Sequence, residues 1–122
     1  MSHILVVEDD PVNQRMLAFT LKKHGHTVVK AQHGRDALER MAEQAIDLVI
    51  TDIGMPVMDG LTLLKHLRAD ERYHALPVVV ITADIEEQTS LEAHAEGING
   101  FLNKPTSSWE LLETINRCLG EK

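Results

Sequence analysis

Four short apolar runs in this sequence end on residues able to do chemistry. "HILVV" (3–7) delivers Glu8 and Asp9, "DLVIT" (47–51) delivers Asp52, "PVVVI" (77–81) delivers Thr82, and "GFLN" (100–103) delivers Lys104. Brought together, these are three carboxylates, a hydroxyl and an ammonium. Crowded carboxylates cannot all stay ionised without compensation. Lys104 offsets one charge and a divalent cation two more. An open, carboxylate-rich, all-oxygen site suits Mg²⁺ rather than Zn²⁺. The acids alone would repel a phosphoryl group; with Mg²⁺ and Lys104 they attract one. A carboxylate can also attack phosphorus. Asp52 is the candidate nucleophile, since it stands on the innermost acid-bearing run with a Gly/Pro/Met/Asp loop after it. Gly54 in that loop lets the backbone come close, so its carbonyl can bind a metal with no side chain in the way. Taken singly, each residue has a bland reading, because acids at strand ends are usually solvated and a Thr or Lys there is ordinary. Their coincidence at equivalent positions argues for a site.

The elements that must position them follow from periodicity. The β-branched runs 3–8, 26–32, 47–52, 77–83 and 100–105 predict five strands. Between and after them, helical patterns cover 10–25, 34–45, 59–70 and 85–96 and the C-terminal stretch from Ser107. Asp10 is the expected N-cap of the first helix, with Pro11 at its first position and Gly25 stopping it. Val12, Met16, Phe19 and Thr20 fall near one face of that helix, with Leu17 and Leu21 beside them. Ala37, Leu38, Met41 and Ala45 are expected inward on the second helix, and Leu61, Leu64 and Leu67 at core spacing on the third. The fourth strand, the most continuously apolar, is expected to be central. Ser107 with Glu110 three positions on forms a capping box for the last helix. Strands alternating with helices imply a parallel sheet covered on both faces with right-handed crossovers. The fold class is therefore α/β, a single doubly wound (βα)5 domain over residues 1–122. Periodicity leaves strand order open; the flavodoxin-like order 2-1-3-4-5 is adopted, with its switch point between the first and third strands. Ligands of such sheets bind at the carboxyl ends of the strands beside that point, where the five residues above stand.

Composition narrows the function. The formal net charge of −7 argues against direct nucleic-acid binding. No apolar run nears the roughly 20 residues that span a bilayer. The start "MSHILVVEDD" does not read as a signal peptide, and a lone Cys118 fits a reducing cytoplasm.

In order, "ILVVEDDP", "DLVITDIGMPVMDG", "PVVVITAD" and "GFLNKP" resemble, end to end, the receiver domain of two-component response regulators, the CheY-like family. The resemblance implies that Asp52 is the phosphoacceptor. Asp9 would bind Mg²⁺ directly, Glu8 usually through water, and Gly54 through its carbonyl, with Mn²⁺ able to substitute for Mg²⁺. It implies that Thr82 is the switch hydroxyl, that Lys104 pairs with the phosphoryl group, and that Pro105 follows a cis peptide bond. Phe101 stands at the aromatic switch position, although a plain core Phe would read the same. The implied partners are a sensor histidine kinase or histidine phosphotransfer domain, and a downstream protein engaged by the face of helix 4, strand 5 and helix 5. Phosphorylation-dependent homodimerisation is compatible with it. Glu8 replaces the commoner Asp, and Thr106 stands where many members carry Phe. Gly54 and Asp84 occupy positions that tune phosphate lifetime.

Two rivals fit less well. A haloacid-dehalogenase-type phosphatase looks for a second Asp two residues after its nucleophile, where this chain has Gly54. A nucleotide or flavin module needs a Gly-rich loop after the first strand, where this chain has "EDDPVN". The seven histidines lack ligand spacing. Stand-alone regulator and receiver excised from a hybrid histidine kinase or multidomain regulator both stay open. So do two readings of Trp109, half-buried packing or an anchor on the signalling face.

Overall fold

The computed structural model describes residues 2–52, 60–82, 98–103 and 107–120. Strands β1 (His3–Val7), β2 (Thr27–Ala31), β3 (Leu48–Asp52), β4 (Val78–Thr82) and β5 (Gly100–Asn103) alternate with helices α1 (Pro11–Lys23), α2 (Gly34–Glu43) and α3 (Gly60–Ala69). A C-terminal helix, Ser108–Cys118, follows β5. The helix expected over 85–96 lies outside the described residues.

All strand pairs are parallel, in the order β2-β1-β3-β4-β5, as the flavodoxin-like reading requires. One expectation is corrected: β3, not β4, is central. Continuous apolarity marks burial on both faces, and every interior strand of a covered parallel sheet has that.

Strand pleating splits the core into two layers. Leu5, Val7, Val49, Val78 and Val80 pack with Ala37 and Met41 of α2 and Leu63, Leu64 and Leu67 of α3. Ile4, Val6, Leu48, Ile50, Val79, Ile81 and Leu102 pack on the other side with Leu21 of α1 and Leu111 and Ile115 of the C-terminal helix.

Helix ends follow their local chemistry. Asp10 accepts the Val12 N–H at 2.9 Å and Pro11 opens α1. Beyond the helix, Gly25 takes φ +91°, a conformation that side chains resist. His33 caps α2 through Nδ1, which accepts the Asp36 N–H at 3.2 Å. Ser107 caps the last helix by accepting the Glu110 N–H at 3.1 Å. After α3, Asp70 accepts from the Arg72 N–H at 2.9 Å and from its guanidinium at 2.8 Å, which holds the Asp70 carboxyl down at about 2. Tyr73 ties this turn to α2 by donating to the Met41 carbonyl at 3.1 Å.

One helix face is decided by the packing and another departs from expectation. On α1 the inward residues are Ala18 and Leu21, while Val12, Met16 and Phe19 face solvent. Helix α2 ends at Glu43, leaving Ala45 exposed beyond it.

Candidate functional site

Register brings the acids together. Val7 pairs with Thr51, so the next residue on each strand, Glu8 and Asp52, emerges at one level. Asp9 follows directly. One carboxylate oxygen from each of Glu8, Asp9 and Asp52 lies within 4.8 Å of the other two. The three differ in exposure: Glu8 is 2% exposed, Asp52 half-buried and Asp9 open to solvent. Burying an ionised carboxylate costs several kcal/mol, roughly, before compensation. Two further carboxylates alongside it make a cation the natural complement. The donor set fits Mg²⁺: hard oxygens only, one ligand on the solvent side, and spacing that admits direct or water-mediated contact with one ion.

The surrounding backbone is held firmly. The Glu8 N–H donates to the Ala31 carbonyl of β2 at 3.0 Å. The Gln14 side chain donates to the Glu8 carbonyl at 3.2 Å and to the same Ala31 carbonyl at 2.9 Å. The Thr51 hydroxyl donates to the Asp52 carbonyl at 2.8 Å.

On the other side of β3, Asp52 pairs with Ile81, which puts Thr82 one residue further along the neighbouring strand end. Thr82 in turn pairs with Asn103, the last described residue of β5. Phe101 is half-buried and packs against the α2–α3 layer. Gly54, Asp84, Lys104, Pro105 and Thr106, with the side chain of Thr82, lie outside the described residues. Gln14 is the site neighbour that sequence reading missed. A polar residue in a helix's first turn carries no spacing signal, and only its contacts reveal a role. Trp109 is 71% exposed, which excludes the packing reading. Among the described residues, no helix is long and apolar enough to cross a membrane.

Comparison with known proteins agrees with this geometry. The family model for the response regulator receiver domain matches residues 4–116. Protein PilH of Pseudomonas aeruginosa is 34% identical over 119 residues, covering 98% of each chain. Hybrid signal transduction histidine kinase D of Dictyostelium discoideum is 35% identical over 112 residues, 92% of this chain but 7% of that one. The solved receiver domain of a sensor histidine kinase from Pseudomonas aeruginosa, with a magnesium ion coordinated in its active-site cleft, shares the fold at a TM-score of 0.89 and 30% identity, with 98% of each chain covered. The chain belongs to the response regulator receiver domain family, whose members act in phosphorelay signalling as phosphoacceptor switches served by histidine kinases.

Proposed function

We propose that Asp52 accepts a phosphoryl group from a phosphohistidine on a sensor histidine kinase or histidine phosphotransfer protein. The observation that carries this reading is the convergence of Glu8, Asp9 and Asp52 within 4.8 Å at the ends of adjacent strands. Glu8, Asp9, Asp52 and the Gly54 carbonyl would hold Mg²⁺. When bound, that ion supplies the positive charge that lets three carboxylates and a phosphoryl group share one cleft.

An Asp52 carboxylate oxygen attacks phosphorus. The new P–O bond forms as the P–N bond of the phosphohistidine breaks, and the electron pair leaves on the imidazole nitrogen, which takes up a proton. Lys104 pairs with the phosphoryl oxygens, and the Thr82 hydroxyl turns toward them. Phe101 follows, altering the surface formed by segment 85–96, β5 and the C-terminal helix, where a downstream protein or a second copy docks. The chain assists both its own phosphorylation and its dephosphorylation, and Gly54 places no side chain in the path of water.

A protein donor is supported by α1. That helix starts directly after the acids, and its Val12, Met16 and Phe19 are 53%, 64% and 68% exposed. Such an apolar stripe suits the apolar face of a donor helix. The match across 98% of PilH supports a stand-alone regulator. The match to a small part of a hybrid kinase supports the rival arrangement, and the coding sequence around the gene decides between them.

The test is incubation with acetyl phosphate and Mg²⁺, read by intact mass. One added phosphoryl group is expected on the wild type and none on Asp52→Asn. Incorporation that survives in the variant overturns the assignment.

A further inference from the structure

Glu8 and Asp9 flank a single peptide plane. Because that plane is rigid, whatever holds its carbonyl also orients the two Cα atoms from which the carboxylates branch. The Glu8 carbonyl is held by the Gln14 side chain at 3.2 Å. The other hydrogen of the same amide goes to the Ala31 carbonyl at 2.9 Å, which also accepts the Glu8 N–H at 3.0 Å. Both backbone polar groups of Glu8 are therefore tied to one point at the end of β2, one directly and one through Gln14. Gln14 is itself fixed, since it is half-buried and its N–H donates to the Asp10 carbonyl at 2.9 Å in the first turn of α1.

We propose that Gln14 is a positioning residue for the acid cluster: it sets the Glu8–Asp9 peptide and so the affinity of the site for Mg²⁺. The inference rests on the Mg²⁺-binding reading above. Two carbonyl oxygens can be met together only by an amide NH₂ or a cation, so the residue type is constrained as well as the reach. Gln14→Glu would set a carboxylate against two carbonyl oxygens. Gln14→Met keeps the length and the packing but loses both donors. Groups that orient metal ligands from behind typically change affinity about 10-fold or more when removed.

The experiment is isothermal calorimetry of Mg²⁺ binding to wild type, Gln14→Met and Gln14→Glu, alongside acetyl phosphate labelling across a Mg²⁺ series. Expected is about tenfold weaker Mg²⁺ binding in Gln14→Met and a larger loss in Gln14→Glu. The labelling rate of Gln14→Met should return to the wild-type value at saturating Mg²⁺, so the defect lies in the half-saturation concentration rather than in the maximum. Loss of the maximum with unchanged affinity, or no change in either, overturns the proposal. A second measurement needs no variant: in a Mg²⁺ titration of the wild type by NMR, the Gln14 side-chain amide should shift with the same midpoint as the Asp9 backbone amide. A Gln14 amide that ignores Mg²⁺ overturns the proposal even where both variants fail to fold. Wild-type protein that binds no Mg²⁺ at all overturns instead the reading on which it rests.

Discussion

At the residue scale, the three acids repel one another, since one carboxylate oxygen of each lies within 4.8 Å of the other two. Two unit charges 4.8 Å apart repel by about 3.5 kcal/mol at an effective dielectric constant of about 20. Solvent at the exposed Asp9 reduces that figure. Replacing Asp52 by Asn should therefore stabilise the metal-free protein by about 1–2 kcal/mol, read as a higher urea midpoint in EDTA. Added Mg²⁺ should then stabilise the wild type more than the variant, since an ion that binds only the folded state raises stability in proportion to its affinity. A lower midpoint for Asp52→Asn in EDTA would show that repulsion is not the controlling effect. These acids were legible in the sequence because they coincide at equivalent positions after apolar runs, although any one alone reads as a solvated strand end. Gln14 was not legible, because its contacts are with backbone carbonyls at the ends of two different strands and leave no trace in residue spacing.

At the element scale, the alternation of runs and helices was enough to give a covered parallel sheet, and strand boundaries agree to a residue or two. Helix faces were less readable. Helix α1 carries apolar residues nearly all round, so periodicity alone does not say whether Val12, Met16 and Phe19 or Ala18 and Leu21 turn inward; packing against β1 and β2 decides it. Nor does sequence reveal how closely two elements approach. The C-terminal helix lies so near the start of β5 that a Cβ on Gly100 would sit 2.8 Å from Thr114 Cγ2 and 3.6 Å from Cys118 Sγ. Thr114 is buried and β-branched, so it has little freedom to retreat. Gly100→Ala should cost about 1–3 kcal/mol by overpacking. Adding Thr114→Ser, which removes the methyl group in the way, should recover most of that loss in a double-mutant cycle. Additive losses in urea unfolding would place the strain elsewhere.

At the scale of the whole molecule, one end of the sheet gathers the acids, and the helix that leaves it keeps an apolar stripe in water. A core use for that stripe is excluded by its exposure, since each of the three side chains is more than half accessible. Chemistry and recognition thus separate: the acid cluster serves any phosphodonor, whereas the stripe matters only to a donor large enough to touch it. Phe19→Ser and Met16→Ser test the separation. Both side chains are exposed, so stability should change by no more than about 0.5 kcal/mol. Phe19 stands about 12 Å along α1 from its start beside the acids, farther than acetyl phosphate extends, so labelling from it should keep its wild-type rate. Transfer from a phosphohistidine protein that labels the wild type should slow about tenfold for Phe19→Ser, the loss expected when a central apolar contact worth about 1.4 kcal/mol is removed from an interface. The same ratio measured at several donor concentrations distinguishes weaker docking, which disappears at saturation, from slower chemistry, which does not. Equal slowing with both donors would mean that the stripe acts through the fold of α1 rather than through a partner.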